Sequence, residues 1–225
     1  MPADHGSSPP FPVLTEDLLA QAVQILARLD TDLNGVYEAF GPPPLWARPP
    51  GFATLVYIIL EQQVSLASAR AAYTRLGEAI SPITPEGFLT LDDASLKAIG
   101  FSRQKTHYGR LLAQAVLDGT LDLEALHHLE DDAVRAALIR IKGIGRWSAD
   151  VYLMEALLRP DVWPAGDLAL AVAVQRVKRL PELPKAAQLQ AIGESYQPWR
   201  AVAARMFWHH YLSLPVRRSL GPSGL

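Results

Sequence analysis

Two short stretches carry residues whose types and spacing could do chemistry. In "RIKGIGRWSAD" (140–150) Gly143 and Gly145 stand one residue apart, with Lys142 and Arg146 on either side. Glycine admits positive φ and lets other groups approach the backbone closely. A helix that begins right after the pair leaves its first amides without internal partners, at the positive end of its dipole. Such a turn can hold an anion, and a nucleic-acid phosphate is a natural occupant. A plain helix–helix corner satisfies the same pattern without any ligand. In "DVWPAGDLAL" (161–170) a Pro/Gly loop leads into Asp167 and an apolar run. Asp167 reads either as the N-cap of that run or as a carboxylate presented for chemistry, and the two roles are compatible.

The elements that must position these residues are helices. After a Pro/Ser/Gly-rich tail (1–14), expected to be disordered, Thr15 is a plausible N-cap for a helical stripe through Leu29. "GPPPLWARPPG" (41–51) must be a loop, because proline fixes φ and lacks a donor. An apolar helix follows from Phe52, and an Ala-rich one ends before Pro82. Further helices are expected over 92–99, 102–118, 122–129, 131–139 and 146–158, then from Asp167 to Leu180, over 184–193 and over 198–214. No segment alternates with period 2 between hairpin turns. The fold class is all-α, built from many short helices and without a solenoid repeat.

Composition narrows the partners. The 225 residues are 49% hydrophobic, enough for a core, and include no cysteine. That excludes disulfides, zinc–thiolate sites and a cysteine-held iron–sulfur cluster. The N-terminus lacks the basic and apolar regions of a signal peptide, and no apolar run has the roughly 20 residues that span a bilayer. A cytoplasmic protein with no membrane contact is expected. The net charge is −2, unlike a general DNA binder, yet basic residues are segregated. Lys97, Arg103, Lys105 and Arg110 lie in one acid-free stretch, Arg135, Arg140, Lys142 and Arg146 in a second, and Arg176, Lys178 and Arg179 in a third. They make either one basic face or ordinary solvated helix faces.

The glycine turn with its flanking helices, followed by a Pro/Gly loop and Asp167, resembles the helix–hairpin–helix DNA glycosylase superfamily of base-excision repair. "IILEQQVSLASA" (58–69) and "LKAIGFSRQKTHYGRLLAQAV" (96–116) are similar to further segments of the superfamily, and "YQPWRAVAARMFWHH" (196–210) to the C-terminal Pro-Trp-Arg helix of its 3-methyladenine DNA glycosylase II branch. The resemblance covers about residues 15–214 and lacks the N-terminal β domain of larger members. It implies two helical lobes flanking a DNA-binding cleft, with lobe 52–159 carrying the hairpin, lobe 15–51 plus 160–214 facing it, and a tail at 215–225.

The resemblance also implies roles. A glycosylase must flip its target nucleotide out of the duplex. The hairpin residues Lys142, Gly143, Ile144, Gly145 and Arg146 would grip DNA, with a Na+ or K+ held by the carbonyls of Ile139, Ile141 and Ile144 and no other cofactor. Gln63 would be the wedge that fills the gap. Trp147 and Trp199, with Trp46, Tyr57 and Trp163 as further candidates, would wall the base pocket, where a cationic alkylated base gains a cation–π term. Asp167 would stabilise the oxocarbenium-like sugar and orient water. Trp147 stands where bifunctional members have their lysine, so a monofunctional enzyme is expected, acting as a monomer on double-stranded DNA with damaged bases. Glycosylases for other lesions and a non-catalytic DNA-binding protein are the alternatives.

Overall fold

Leu19, Ala22, Val23 and Leu26 bury one stripe of α1 (Glu16–Leu29), and the Thr15 hydroxyl accepts from Leu18 N–H to open it. In the computed structural model, which describes residues 11–214, helices are the only regular elements found among the described residues. The expected 215–225 tail and residues 1–10 lie outside them. Residues 11–14 do not behave as a disordered tail. Leu14 is fully buried and its N–H donates to Leu158 O, while the Phe11 ring lies 4.4 Å from the Arg159 guanidinium.

Several boundaries differ from the sequence expectation, each for a local reason. Asp30 ends α1 and caps α2 (Thr31–Phe40), accepting from Asp32 and Leu33 N–H, which adds a helix to those expected from the sequence. Thr84 and Pro85 similarly open α5 (Pro85–Thr90) with a cap-plus-proline start, outside the helices expected from the sequence. The helix expected over 122–129 is only a 3₁₀ turn, Ala125–His128. The hairpin helix α9 (Arg146–Glu155) stops before 158, where Leu158 takes φ +52 and the chain turns into the core.

The remaining helices are α3 (Phe52–Glu61), α4 (Leu66–Ala79), α6 (Asp93–Ile99), α7 (Arg103–Leu117), α8 (Asp131–Ile139), α10 (Leu168–Val177), α11 (Ala186–Glu194) and α12 (Arg200–Ser213). Helix α12 packs on α10, α2 and α1, which joins the two ends of the chain. Helix α3 packs on α4, α7 and α9, α8 lies on α9, and α5 on α7. Lys178 and Tyr196 both reach Asp30 Oδ2, which ties α10 and the α11–α12 turn to the first helix pair. Burial opposes the Asp30 charge, but these bonds outweigh it and hold the carboxyl below its ordinary range.

Two arginines bridge the packing groups. Arg205 is wholly buried, and its guanidinium donates to Leu45, Ala201 and Met154 carbonyls at 2.9, 3.0 and 2.6 Å. Burial lowers its pKa to about 10, still charged at neutral pH. Arg48, in the proline-rich loop, forks onto Glu61 at 2.7 and 2.9 Å and pairs with Glu155 at 2.6 Å. One guanidinium cannot neutralise two carboxylates. Burial therefore pushes the Glu155 carboxyl up to about 7 despite the neighbouring Arg48.

Candidate functional site

The hairpin lies between α8 and α9. Gly143 has φ +100, and a Cβ there would sit 2.1 Å from the Tyr108 ring. Only glycine fits that turn. Gly145 differs. It opens α9 in extended conformation, φ −94 and ψ −179, and a Cβ there would meet nothing within 4 Å. Its permissiveness faces outward. No side chain caps α9, so the first amides of that helix stay open to an external anion. Lys142 and Arg146 beside it are exposed, while Ile141 and Ile144 are buried and anchor the turn. Asp150, one turn into α9, accepts from Arg135 Nε at 2.6 Å and is structural.

Asp167 caps α10. Its Oδ1 accepts from Leu170 N–H at 2.6 Å, which is the capping role. The same carboxylate takes two more bonds. Trp147 Nε1 donates to Oδ2 at 2.7 Å and Trp208 Nε1 to Oδ1 at 3.1 Å. Trp147 opens the hairpin helix, and Trp208 lies toward the end of α12. Three separate elements thus converge on one half-buried carboxylate, with Leu168 exposed beside it.

The structure separates the aromatic candidates. Trp147 is brought to Asp167. Trp199 is not: it opens α12 nine positions before Trp208, about 13 Å away along the helix axis. Trp208, which is not among the expected pocket residues, is the α12 indole that reaches Asp167. It stands in the quoted "MFWHH", and nothing local to the sequence distinguishes the two indoles. Trp163 is 3% exposed, donates to Leu189 O at 2.8 Å, and packs on Tyr196, Phe207 and Gly193. It is a core residue, since its ring has no open face. The Tyr57 ring stacks on Tyr73 at 4.4 Å and lies under Arg48 at 4.4 Å. With both faces covered it can offer a ligand only its edge and hydroxyl. Trp46, at φ +49, is half-buried and packs edgewise on His209, the neighbour of Trp208.

Gln63 follows α3 at φ +58, a left-handed conformation uncommon outside glycine. It is exposed, as are Val64 and Ser65 after it. Among the described residues no three His, Cys, Asp or Glu side chains gather as metal ligands, and no helix is long and apolar enough to cross a membrane. The described lysines are occupied away from Asp167 or exposed. Lys105 donates to Leu60 O, Lys178 pairs with Asp30 and Asp32, and Lys142 faces solvent.

Residues 56–198 match the family described as HhH-GPD superfamily base excision DNA repair protein. The chain belongs to this superfamily. It is 30% identical over 162 residues to DNA-3-methyladenine glycosylase 1 of Schizosaccharomyces pombe, which covers 70% of this chain and 71% of the relative. It is 28% identical over 192 residues to DNA-3-methyladenine glycosylase 2 of Escherichia coli, covering 79% and 65%. The chain thus spans about two thirds of the length of these relatives. Among solved structures, the S. pombe 3-methyladenine DNA glycosylase Mag1 in complex with abasic DNA superposes with a TM-score of 0.77 at 27% identity, over 84% of this chain and 95% of that one.

Proposed function

We propose that this protein is a monofunctional DNA glycosylase that flips an alkylated base of the 3-methyladenine or 7-methylguanine type out of double-stranded DNA and hydrolyses its N-glycosidic bond, leaving an abasic site. The observation that carries the reading is Asp167, held by two indole N–H groups and by its own helix start. A carboxylate fixed in this way is preorganised to face the positive charge that develops on the sugar as the base departs. It also orients the attacking water. A cationic base is already a good leaving group, so no separate general acid is needed. The indoles of Trp147 and Trp208 are electron-rich walls for such a cation. Trp147, rather than lysine, follows the hairpin, which favours hydrolysis without a Schiff base.

The hairpin residues 142–146 grip the DNA backbone, and Gln63 fills the space that the flipped base leaves. The carbonyls of Ile139 and Ile144 take no backbone hydrogen bond among the described residues, while that of Ile141 accepts from Ile144 N–H. These neutral oxygens at the negative end of α8 suit a Na+ or K+ ion, which would supply local positive charge toward a phosphate. The protein acts on double-stranded DNA, in the cytoplasmic compartment, and as a monomer.

Asp167→Asn tests this reading. At about 4 Å and an effective dielectric near 20, a unit charge pair is worth about 4 kcal/mol. The substitution should slow excision by roughly a thousandfold while DNA binding persists. Release of free bases from methylated DNA, followed by chromatography, measures it. Equal release by variant and wild type refutes the mechanism. A strand nick without heat or base refutes the monofunctional assignment.

A further inference from the structure

Three consecutive residues at the end of α3 are each tied to a different part of the molecule. The Leu60 carbonyl accepts from Lys105 Nζ at 2.7 Å, from the first turn of α7. Glu61 is forked by Arg48 from the proline-rich loop. Gln62 uses both protons of its side-chain amide: Nε2 donates to Gly143 O at 2.9 Å and to Ser148 Oγ at 3.0 Å. Gly143 is the tip of the hairpin, with the Tyr108 ring packed against it, and Ser148 is buried in the first turn of α9. The next residue is Gln63, exposed and left-handed, and Ser65 then caps α4 through Ser68 N–H.

Gln62 therefore joins two loops that lie 81 residues apart in the chain. The packing of α3 on α9 brings the two loops near each other, and the Gln62 amide bonds them directly. The Gly143 carbonyl points inward to Gln62, and the α9 amides beyond Gly145 are left facing out. The bond sets the hairpin tip on one side and the strained Gln63 turn on the other.

We propose that Gln62 is a positioning residue that sets the wedge turn against the hairpin, so that Gln63 enters the base stack at the nucleotide whose backbone the hairpin holds. The inference rests on the reading of Gln63 as the wedge. Its benefit is entropic. A wedge already held in place spends less binding energy on ordering when the base leaves the stack. The benefit is largest where extrusion is hardest, at a well-paired lesion, and smallest where the base is already mispaired.

The test is single-turnover excision of 7-methylguanine opposite cytosine and opposite thymine, with Gln62→Met, Gln63→Ala and wild type. Methionine keeps the length of the side chain and removes both donors. Gln62→Met should lose about tenfold opposite cytosine and no more than about threefold opposite thymine. Gln63→Ala should show the same bias. Equal losses of Gln62→Met on both substrates would mean that the residue merely supports the site, and would overturn the inference. So would an unbiased Gln62→Met beside a biased Gln63→Ala. If Gln63→Ala shows no bias, the wedge reading fails first and the inference falls with it. Should Gln62→Met not fold, by thermal melting, Ser148→Ala removes one of the two acceptors and should shift the ratio of the two rates in the same direction by about twofold; no shift overturns the proposal.

Discussion

Trp208→Phe keeps an aromatic ring in place and removes one donor. The lost bond runs from Nε1 to Asp167 Oδ1 at 3.1 Å, long for a charge-assisted contact, and the indole is half-buried. Hydrogen bonds to charged groups contribute about 1.5–3 kcal/mol. Length and exposure put this one near the lower bound, about 1.5 kcal/mol, or roughly tenfold in rate if the loosened carboxylate is felt in the transition state. Trp147→Phe removes a 2.7 Å bond to the other oxygen. It belongs near the upper bound, about 3 kcal/mol and roughly a hundredfold. Trp199→Phe removes nothing from Asp167 and should change the rate by less than about threefold. The assay is single-turnover release of 7-methylguanine from duplex DNA at saturating enzyme, with thermal melting to confirm folding. An order of effects Trp147 > Trp208 > Trp199 is expected. A Trp199→Phe defect equal to that of Trp208→Phe, or a Trp208→Phe rate within about twofold of wild type, would refute the assignment of the pocket wall.

The two hairpin glycines should respond in opposite ways. Gly143→Ala forces a left-handed alanine into the Tyr108 ring and should cost about 2–4 kcal/mol of stability, read by denaturant unfolding. Gly145→Ala meets no atom of the protein, so it should melt like wild type yet bind duplex DNA at least about tenfold more weakly at fixed salt; normal binding would remove Gly145 from the interface. The buried carboxyl of Glu155 predicts a pH signature. Its folded pKa of about 7 exceeds the ordinary 4.5, so the folded state holds the proton more tightly. Its stabilising contribution is complete below about pH 4.5 and is lost as pH rises through about 7, whereas Glu155→Gln does not titrate. The stability difference should move toward the variant by about 3 kcal/mol between pH 4.5 and 8, and a difference that stays flat with pH would mean that Glu155 is ionised throughout.

What the sequence determines here is local. The cap at Thr15, the glycine turn before a helix start, the loop before Asp167 and the absence of period-2 alternation are all written in a few adjacent residues. They are enough for an all-α fold, for an open helix end at the hairpin and for the capping carboxylate, because helix starts and turns depend on side chains within one turn. Helices α2 and α5 also carry local start signals, in Asp30 and in Thr84–Pro85.

The choice among aromatics was different. Trp163, Trp199 and Trp208 all follow apolar or proline residues in helix-rich stretches, and no local property tells a core indole from one that reaches Asp167. That depends on the direction in which α12 crosses α10, which carries Trp208 to the carboxylate and leaves Trp199 at the far end. The covering of Tyr57 needs Tyr73 and Arg48 to meet over one ring from two other elements. The Gln62 bridge needs loops 81 residues apart to touch. Such contacts are set by how helices pack around one core, and a linear reading of spacing carries no information about which side chain arrives.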